Sequence, residues 1–185
     1  MTRLFSKEPK LSILIPHLKE RGEKLSRLLF QLQRQINDYP VEVLIHDGDG
    51  TTGQKRNELI AEAKGEWVVH IDDDDTISDD YIKEICKNLH PYVNGIGFIV
   101  EVHINKKIYP AYHIPLISRY GQYPSCFVRP LNHLNVIRKS LCVPFKEITR
   151  GEDVRFANEM QPILKDKKCI FIPKVLYYYD ASHNH

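Results

Sequence analysis

A chain of 185 residues, 42% hydrophobic and 27% charged, has enough apolar material for one ordinary globular core. Its net charge of +2 supplies no basic face for a nucleic-acid partner, and no apolar run is long enough to span a bilayer, so a lipid-linked substrate would be met by peripheral contact from outside. The four cysteines (Cys86, Cys126, Cys142 and Cys169) form no CxxC pair, and MTRLFSKEPK lacks a signal peptide's apolar core, so a zinc or redox motif is not expected and a cytoplasmic setting with reduced thiols is.

Leu11 to Ile15 is a continuous apolar run closed by Pro16, the mark of a buried strand. The following segment places Leu25, Leu28, Leu29, Leu32 and Ile36 at helical spacing, and Asn37 to Pro40 stops it. Val41 to Ile45 is a second strand, broken by a loop of Gly, Asp and Thr from His46 to Gly53. Gln54 to Lys64 reads as a second amphipathic helix with Gly65 as its C-cap. Trp67 to Ile71 is a third strand, which runs into Asp72, Asp73, Asp74 and Asp75.

Ser78 is placed to cap the next helix, with Asp79 and Asp80 in its first turn and Ile82, Ile85 and Leu89 on its buried face. Gly95 to His103 and Ile108 to Tyr112 read as a hairpin, and Pro115 to Arg129 as an irregular loop. Asn132 to Leu141 is ambiguous. Glu152 to Leu164 is a helix that tolerates Pro162, and Ile170 to Ile172 and Val175 to Tyr179 are two short strands before a polar tail. No repeat or interdomain linker is visible. Strand and helix alternating at this spacing predict a single α/β domain, doubly wound on a mostly parallel sheet, with its ligand at the carboxyl ends of the strands.

All three early strand ends are polar: Pro16-His17, Asp47-Gly48-Asp49-Gly50 and Asp72 to Asp75. Four adjacent carboxylates repel, and helix capping needs one or two; a divalent cation with a phosphate ligand would explain the rest, and hard carboxylate oxygens suit Mn²⁺ or Mg²⁺. Asp47-Gly48 is either plain turn chemistry or an acceptor for a base imide. Arg21, Lys55 and Arg56 stand at or near helix starts, where the dipole disfavours cations; diphosphate binding and solvated surface charge are both open.

Taken together, LSILIPHLKER, VEVLIHDGDG, GQKRNELIAEAKGEWVVHIDDDDTISDDYI, GEDVRFANEM and LYYYDASHNH, in that order, resemble the GT-A-fold glycosyltransferases of family 2. The resemblance spans nearly the whole chain. It departs at His17, where a small hydroxyl residue is common, and at Asp49-Gly50, where Ser-Thr is usual. It implies an inverting, metal-dependent transferase that moves a sugar from a nucleotide-diphosphate donor, UDP-linked by preference, to a hydroxyl of a glycan or other acceptor. The nucleotide-sugar residues would be Pro16, His17, Arg21, Asp47, Gly48, Lys55, Arg56, Asp72 and Asp73. Asp74 would bind the metal, joined by His183 or His185 from the tail. Asp153 would be the general base, or Glu152 if the register slips by one. Residues 1–90 would form the donor half and 91–185 the acceptor and catalytic half.

His133 reads first as a structural histidine, and Tyr109, Tyr112, Tyr120 and Tyr123 as either packing or sugar-stacking residues. Two other functions stay open. Asp72 to Thr76 satisfies the Asp-x-Asp-x-Thr pattern of haloacid-dehalogenase phosphohydrolases, although without their downstream lysine and acidic pair. A non-catalytic module binding a sugar nucleotide or Ca²⁺ would use the same acids.

Overall fold

The computed structural model describes residues 1–4, 8–36, 38–115, 117 and 119–181. The three apolar runs are parallel neighbours: β2 (Leu11–Pro16) lies between β3 (Val41–His46) and β4 (Trp67–His70), and β2 and β3 are buried along their whole length. Each strand of this half is covered by helices, α1 (Gly22–Ile36) and α2 (Thr52–Glu62), so a continuous apolar run rather than an alternating one is what burial on both faces demands. Leu28, Leu32 and Ile36 are the fully buried stripe of α1, packed in the main core with Ile13, Val43 and Val69. A short strand, β1 (Thr2–Leu4), adds antiparallel to β3 at the edge.

Past β4 the sheet becomes mixed. β10 (Val136–Arg138) pairs antiparallel with both β4 and the start of β6 (Gly95–Ile104), and so joins the two halves of the sheet. β6 forms the expected hairpin with β7 (Lys107–His113). Within the Pro115–Arg129 stretch, β8 (Gly121–Gln122) and β9 (Phe127–Arg129) pair with each other, and β9 runs parallel to β7. α4 (Glu152–Leu164) contains Pro162 as expected. The two short C-terminal strands are one, β11 (Cys169–Asp180), parallel to β6 with register shifts between Ile172 and Tyr177. Pro173 has no N–H to donate, and the irregularity absorbs it.

Local chemistry corrects several sequence expectations. α2 starts at Thr52 because Thr51 and Gln54 make a reciprocal capping box. α2 ends with Ala63 as its C-cap, and Gly65 serves close packing: a Cβ there would lie 2.7 Å from the Ser12 nitrogen. Ser78 does not cap α3 (Tyr81–Cys86); Asp80 holds that position, and Ser78 Oγ donates to its carboxylate instead. Thr76–Ile77 is a short strand, β5, held antiparallel to β11 directly after the four aspartates.

Candidate active site

The four aspartates leave the end of β4 in four different environments. Asp73 is 1% exposed and clasps the loop after β2: His17 Nδ1 lies 2.7 Å from its carboxylate, the Leu18 N–H donates to it at 2.8 Å and Arg21 at 2.9 Å. Lys55 is also spent inward, donating to the His17 carbonyl at 2.8 Å. Asp75 is buried and accepts from the Tyr177 hydroxyl at 2.6 Å. Burial, and next the charge of Asp72, push its carboxyl up to about 8, so it holds a proton at neutral pH.

Asp72 is part-exposed, with Arg56 at 2.8 Å and His133 Nε2 at 3.4 Å. Burial opposes its ionisation, but Arg56 and then His133 outweigh that and hold it below the usual carboxylate range. Asp74 is partly exposed and lies 3.0 Å from Arg21 and 4.0 Å from Lys24. Burial raises its pKa, Arg21 opposes the rise, and Asp72 and Asp73 add to it. The run is therefore not four charges of one kind: Asp72 and Asp73 are paired with buried or half-buried cations, Asp75 holds a proton, and Asp74 is partly exposed, sharing Arg21 with Asp73 and facing Lys24 at longer range.

Arg56 links this strand end to α4. It is buried, pairs with Asp72, approaches Glu152 at 3.5 Å and lies 5.6 Å from the centre of the Phe145 ring. Asn57 exchanges hydrogen bonds with the backbone of Phe145, which ties α2 to the segment leading into α4. At Gly151 the backbone is left-handed, with φ of 79°, and turns directly into Glu152 and Asp153. Successive residues at the start of α4 thus face different spaces.

Two clefts meet at Asp72. The smaller, about 320 Å³, is lined by Pro16, Arg21, Lys55, Arg56, Asp73 and Glu152 among others. The larger, about 570 Å³, is lined by Asp153, His133, Tyr120, Arg129 and Tyr179 among others. Asp72 lines both. Most of the expected site residues are therefore gathered at one place. Asp47, Gly48, His17 and Asp74 line neither cleft: Asp47 sits 3.3 Å from the amino group of Met1, the Gly48 N–H donates to His46, His17 is turned onto Asp73, and Asp74 lies beside them against Arg21 and Lys24. Tyr120 is the one of the four expected tyrosines that lines the larger cleft; Tyr109 packs on Phe127 and Tyr123 is exposed. His183 and His185 lie outside the described residues.

His133, expected to be structural, touches Asp72. Tyr177, Arg129 and the Arg56–Glu152 link carried no sequence signal, because each depends on segments far apart in the chain. Among the described residues no three His, Cys, Asp or Glu side chains gather as a metal cage. Mg²⁺ and Mn²⁺ sites built from one or two carboxylates, water and substrate phosphates need no such cage, and the partly exposed Asp74 fits that mode.

A strand-end carboxylate run between two clefts, on this sheet order, defines the GT-A class of glycosyltransferase folds. The chain belongs to the glycosyltransferase-like family 2, whose sequence profile matches residues 13–132. That membership weighs against the phosphohydrolase alternative. No curated protein matches the chain by sequence. Among solved structures it is similar to Staphylococcus aureus TarS 1–349, with TM-score 0.67 and 17% identity over 92% of this chain and 60% of that one. The TarS complex with UDP-GlcNAc aligns at TM-score 0.67 and 15% identity, over 95% and 60%. The Pyrobaculum calidifontis mannosyltransferase PcManGT, in complex with GDP-Man and Mn²⁺, aligns at TM-score 0.57 and 12% identity, over 94% and 57%. The chain thus spans about 60% of the length of these TarS structures. Among the described residues no helix is long and apolar enough to cross a membrane.

Proposed function

We propose that this domain transfers a sugar, with inversion, from a nucleotide-diphosphate donor to an acceptor hydroxyl. The observation that carries the reading is the position of Asp72 on the wall shared by two clefts, with Glu152 lining one and Asp153 the other. The smaller cleft, with Arg21 and Arg56 in its wall, suits the diphosphate, and residues before position 90 supply most of it. The larger cleft, drawn mainly from residues after position 90, takes the acceptor. UDP is the preferred nucleotide because the TarS neighbours are bound to UDP and UDP-GlcNAc.

In this arrangement Asp153 is the base and Glu152 a positioning residue, since the Glu152 carboxylate is buried against Arg56. The Asp153 carboxylate takes the acceptor hydroxyl proton as that oxygen attacks the anomeric carbon; the bond from that carbon to the diphosphate breaks, and its electron pair leaves with the nucleoside diphosphate. Asp74 would hold Mn²⁺ or Mg²⁺, which when bound offsets charge developing on the departing diphosphate. Asp72 meets the ribose or sugar, and Asp73 holds the His17–Arg21 loop in the shape that receives the nucleotide. The test is calorimetric titration of UDP with and without Mn²⁺: metal-dependent binding that Asp74→Ala removes is expected, and binding indifferent to both overturns the reading.

A further inference from the structure

Arg129 ends β9 in the wall of the larger cleft, and its surroundings differ from those of the other arginines. Arg56 is matched by Asp72 and Glu152, Arg21 by Asp73 and Asp74, Arg3 by Glu42 and Glu62, and Arg138 by Glu66. The described arginines with no acidic partner, Arg27, Arg34, Arg119, Arg150 and Arg155, are all exposed. Arg129 is partly buried, yet among the described residues its guanidinium meets no carboxylate and donates no hydrogen bond. Its contacts are two rings: the guanidinium carbon lies 5.1 Å from the centre of Tyr120 and 4.9 Å from that of Phe127.

Desolvating a guanidinium without an anion is unfavourable, and ring contacts recover only part of that. Rings against the guanidinium restrict its motion without using its N–H donors, whose fork matches the two oxygens of a phosphate or carboxylate. The acids lining this cleft are Asp72 and Asp153. Asp72 is already held by Arg56 and His133, and Asp153 makes no ion pair with Arg129. The fork is therefore open to an anion that arrives from outside.

The geometry points to an oxyanion subsite in the larger cleft, where Arg129, framed by Tyr120 and Phe127, receives a phosphate or carboxylate carried by the acceptor while the acceptor hydroxyl is presented to Asp153. This rests on the larger cleft being the acceptor's. It makes the acceptor an anionic molecule and Arg129 its specificity determinant.

The experiment follows the Arg129 Nε–H resonance of the full ¹⁵N-labelled chain, assigned by its loss in Arg129→Lys. The chain is titrated with methyl phosphate or acetate against chloride at constant ionic strength, and with UDP and Mn²⁺ in parallel. Saturable movement with one anion is expected, and which of the two moves it tells phosphate from carboxylate. Arg129→Met should weaken that binding by about tenfold or more, and Arg129→Lys, which keeps charge but not the fork, by less. UDP binding should change by less than about twofold in Arg129→Lys, which also shows that the variant is folded. An Arg129 signal unmoved by either anion, or anion binding unchanged in both variants, overturns the subsite whether or not UDP binds. Absence of UDP binding with the anion response intact overturns the transferase reading and leaves the oxyanion subsite standing.

Discussion

Asp153 lines the larger cleft beside Asp72, and nothing among the described residues neutralises it by a close ion pair. Replacing it by Asn keeps shape and removes basicity. Asp153→Asn should lower transfer by about 10²–10⁴-fold in a single-turnover assay while UDP affinity stays near that of the parent. A loss of UDP binding of the same size would instead give Asp153 a donor-site role. His113 has a different part in the same wall. It is 3% exposed, with Nδ1 3.0 Å from Asn135 Oδ1, and burial, opposed by that hydrogen bond, lowers its pKa to about 4. Between pH 4 and about 6.5 the unfolded chain binds a proton that the folded imidazole refuses, so this group's stabilisation is complete above that window and is lost as pH falls through it. The cost of His113→Gln, measured by urea unfolding, should therefore be largest near pH 7 and shrink towards pH 4. A cost independent of pH would assign His113 a packing role alone.

At the scale of the elements, Glu42 shows how one buried charge sets the register of a strand–helix–strand unit. It sits on β3 at 1% exposure, accepts from Ser12 Oγ of β2 at 2.7 Å and from the N–H groups of Lys64 and Gly65 after α2, and is ion-paired with Arg3 of β1 at 3.2 Å. The turn from α2 into β4 is therefore tied to three strands by one carboxylate, and the Asp72–Asp75 run leaves β4 only a few residues later. Truncation orphans these donors. Glu42→Ala should destabilise the fold by about 3 kcal/mol in chemical denaturation, because it leaves the Ser12 hydroxyl and the Gly65 N–H without their buried acceptor. Glu42→Gln should cost less, since one oxygen acceptor remains.

For the whole molecule, the two clefts are supplied by different parts of one sheet, so donor binding should be felt by the entire fold. A ligand that binds only the folded state at about 100 times its dissociation constant adds about 2.7 kcal/mol. UDP with Mn²⁺ should raise the melting temperature, and EDTA should cancel the rise. An equal rise with UDP alone would mean that Arg21, Lys55 and Arg56 hold the nucleotide without a metal. The mixed sheet supports this coupling: β10 stitches β4 to β6, and β11 runs from the far half back to Asp72 and Asp75 through Tyr177.

Much of this was readable along the chain. The parallel strands β2, β3 and β4 announce themselves as continuous apolar runs, α1 by its stripe from Leu25 to Ile36, and the walls of the two clefts in part by two of the three polar strand ends and a Glu-Asp pair, because burial and helical period act between near neighbours in sequence. Thr51 and Gln54 are equally local: their Thr-x-x-Gln spacing is a capping box that sets the start of α2 at Thr52. The β8–β9 pair and the single long β11 were not legible, since short strands are stabilised by the partner they meet rather than by their own residues. Nor could four consecutive aspartates say which would be ionised. Asp72 stays charged because Arg56 is folded against it, Asp73 is clasped by Arg21 and His17, and Asp75 keeps a proton because burial and the neighbouring Asp72 charge outweigh the hydrogen bond that Tyr177 donates from 102 positions later. Residue type and spacing suffice to place a carboxylate at a strand end; its charge, its partner and the cleft it faces are set by groups that only folding brings within a few ångströms.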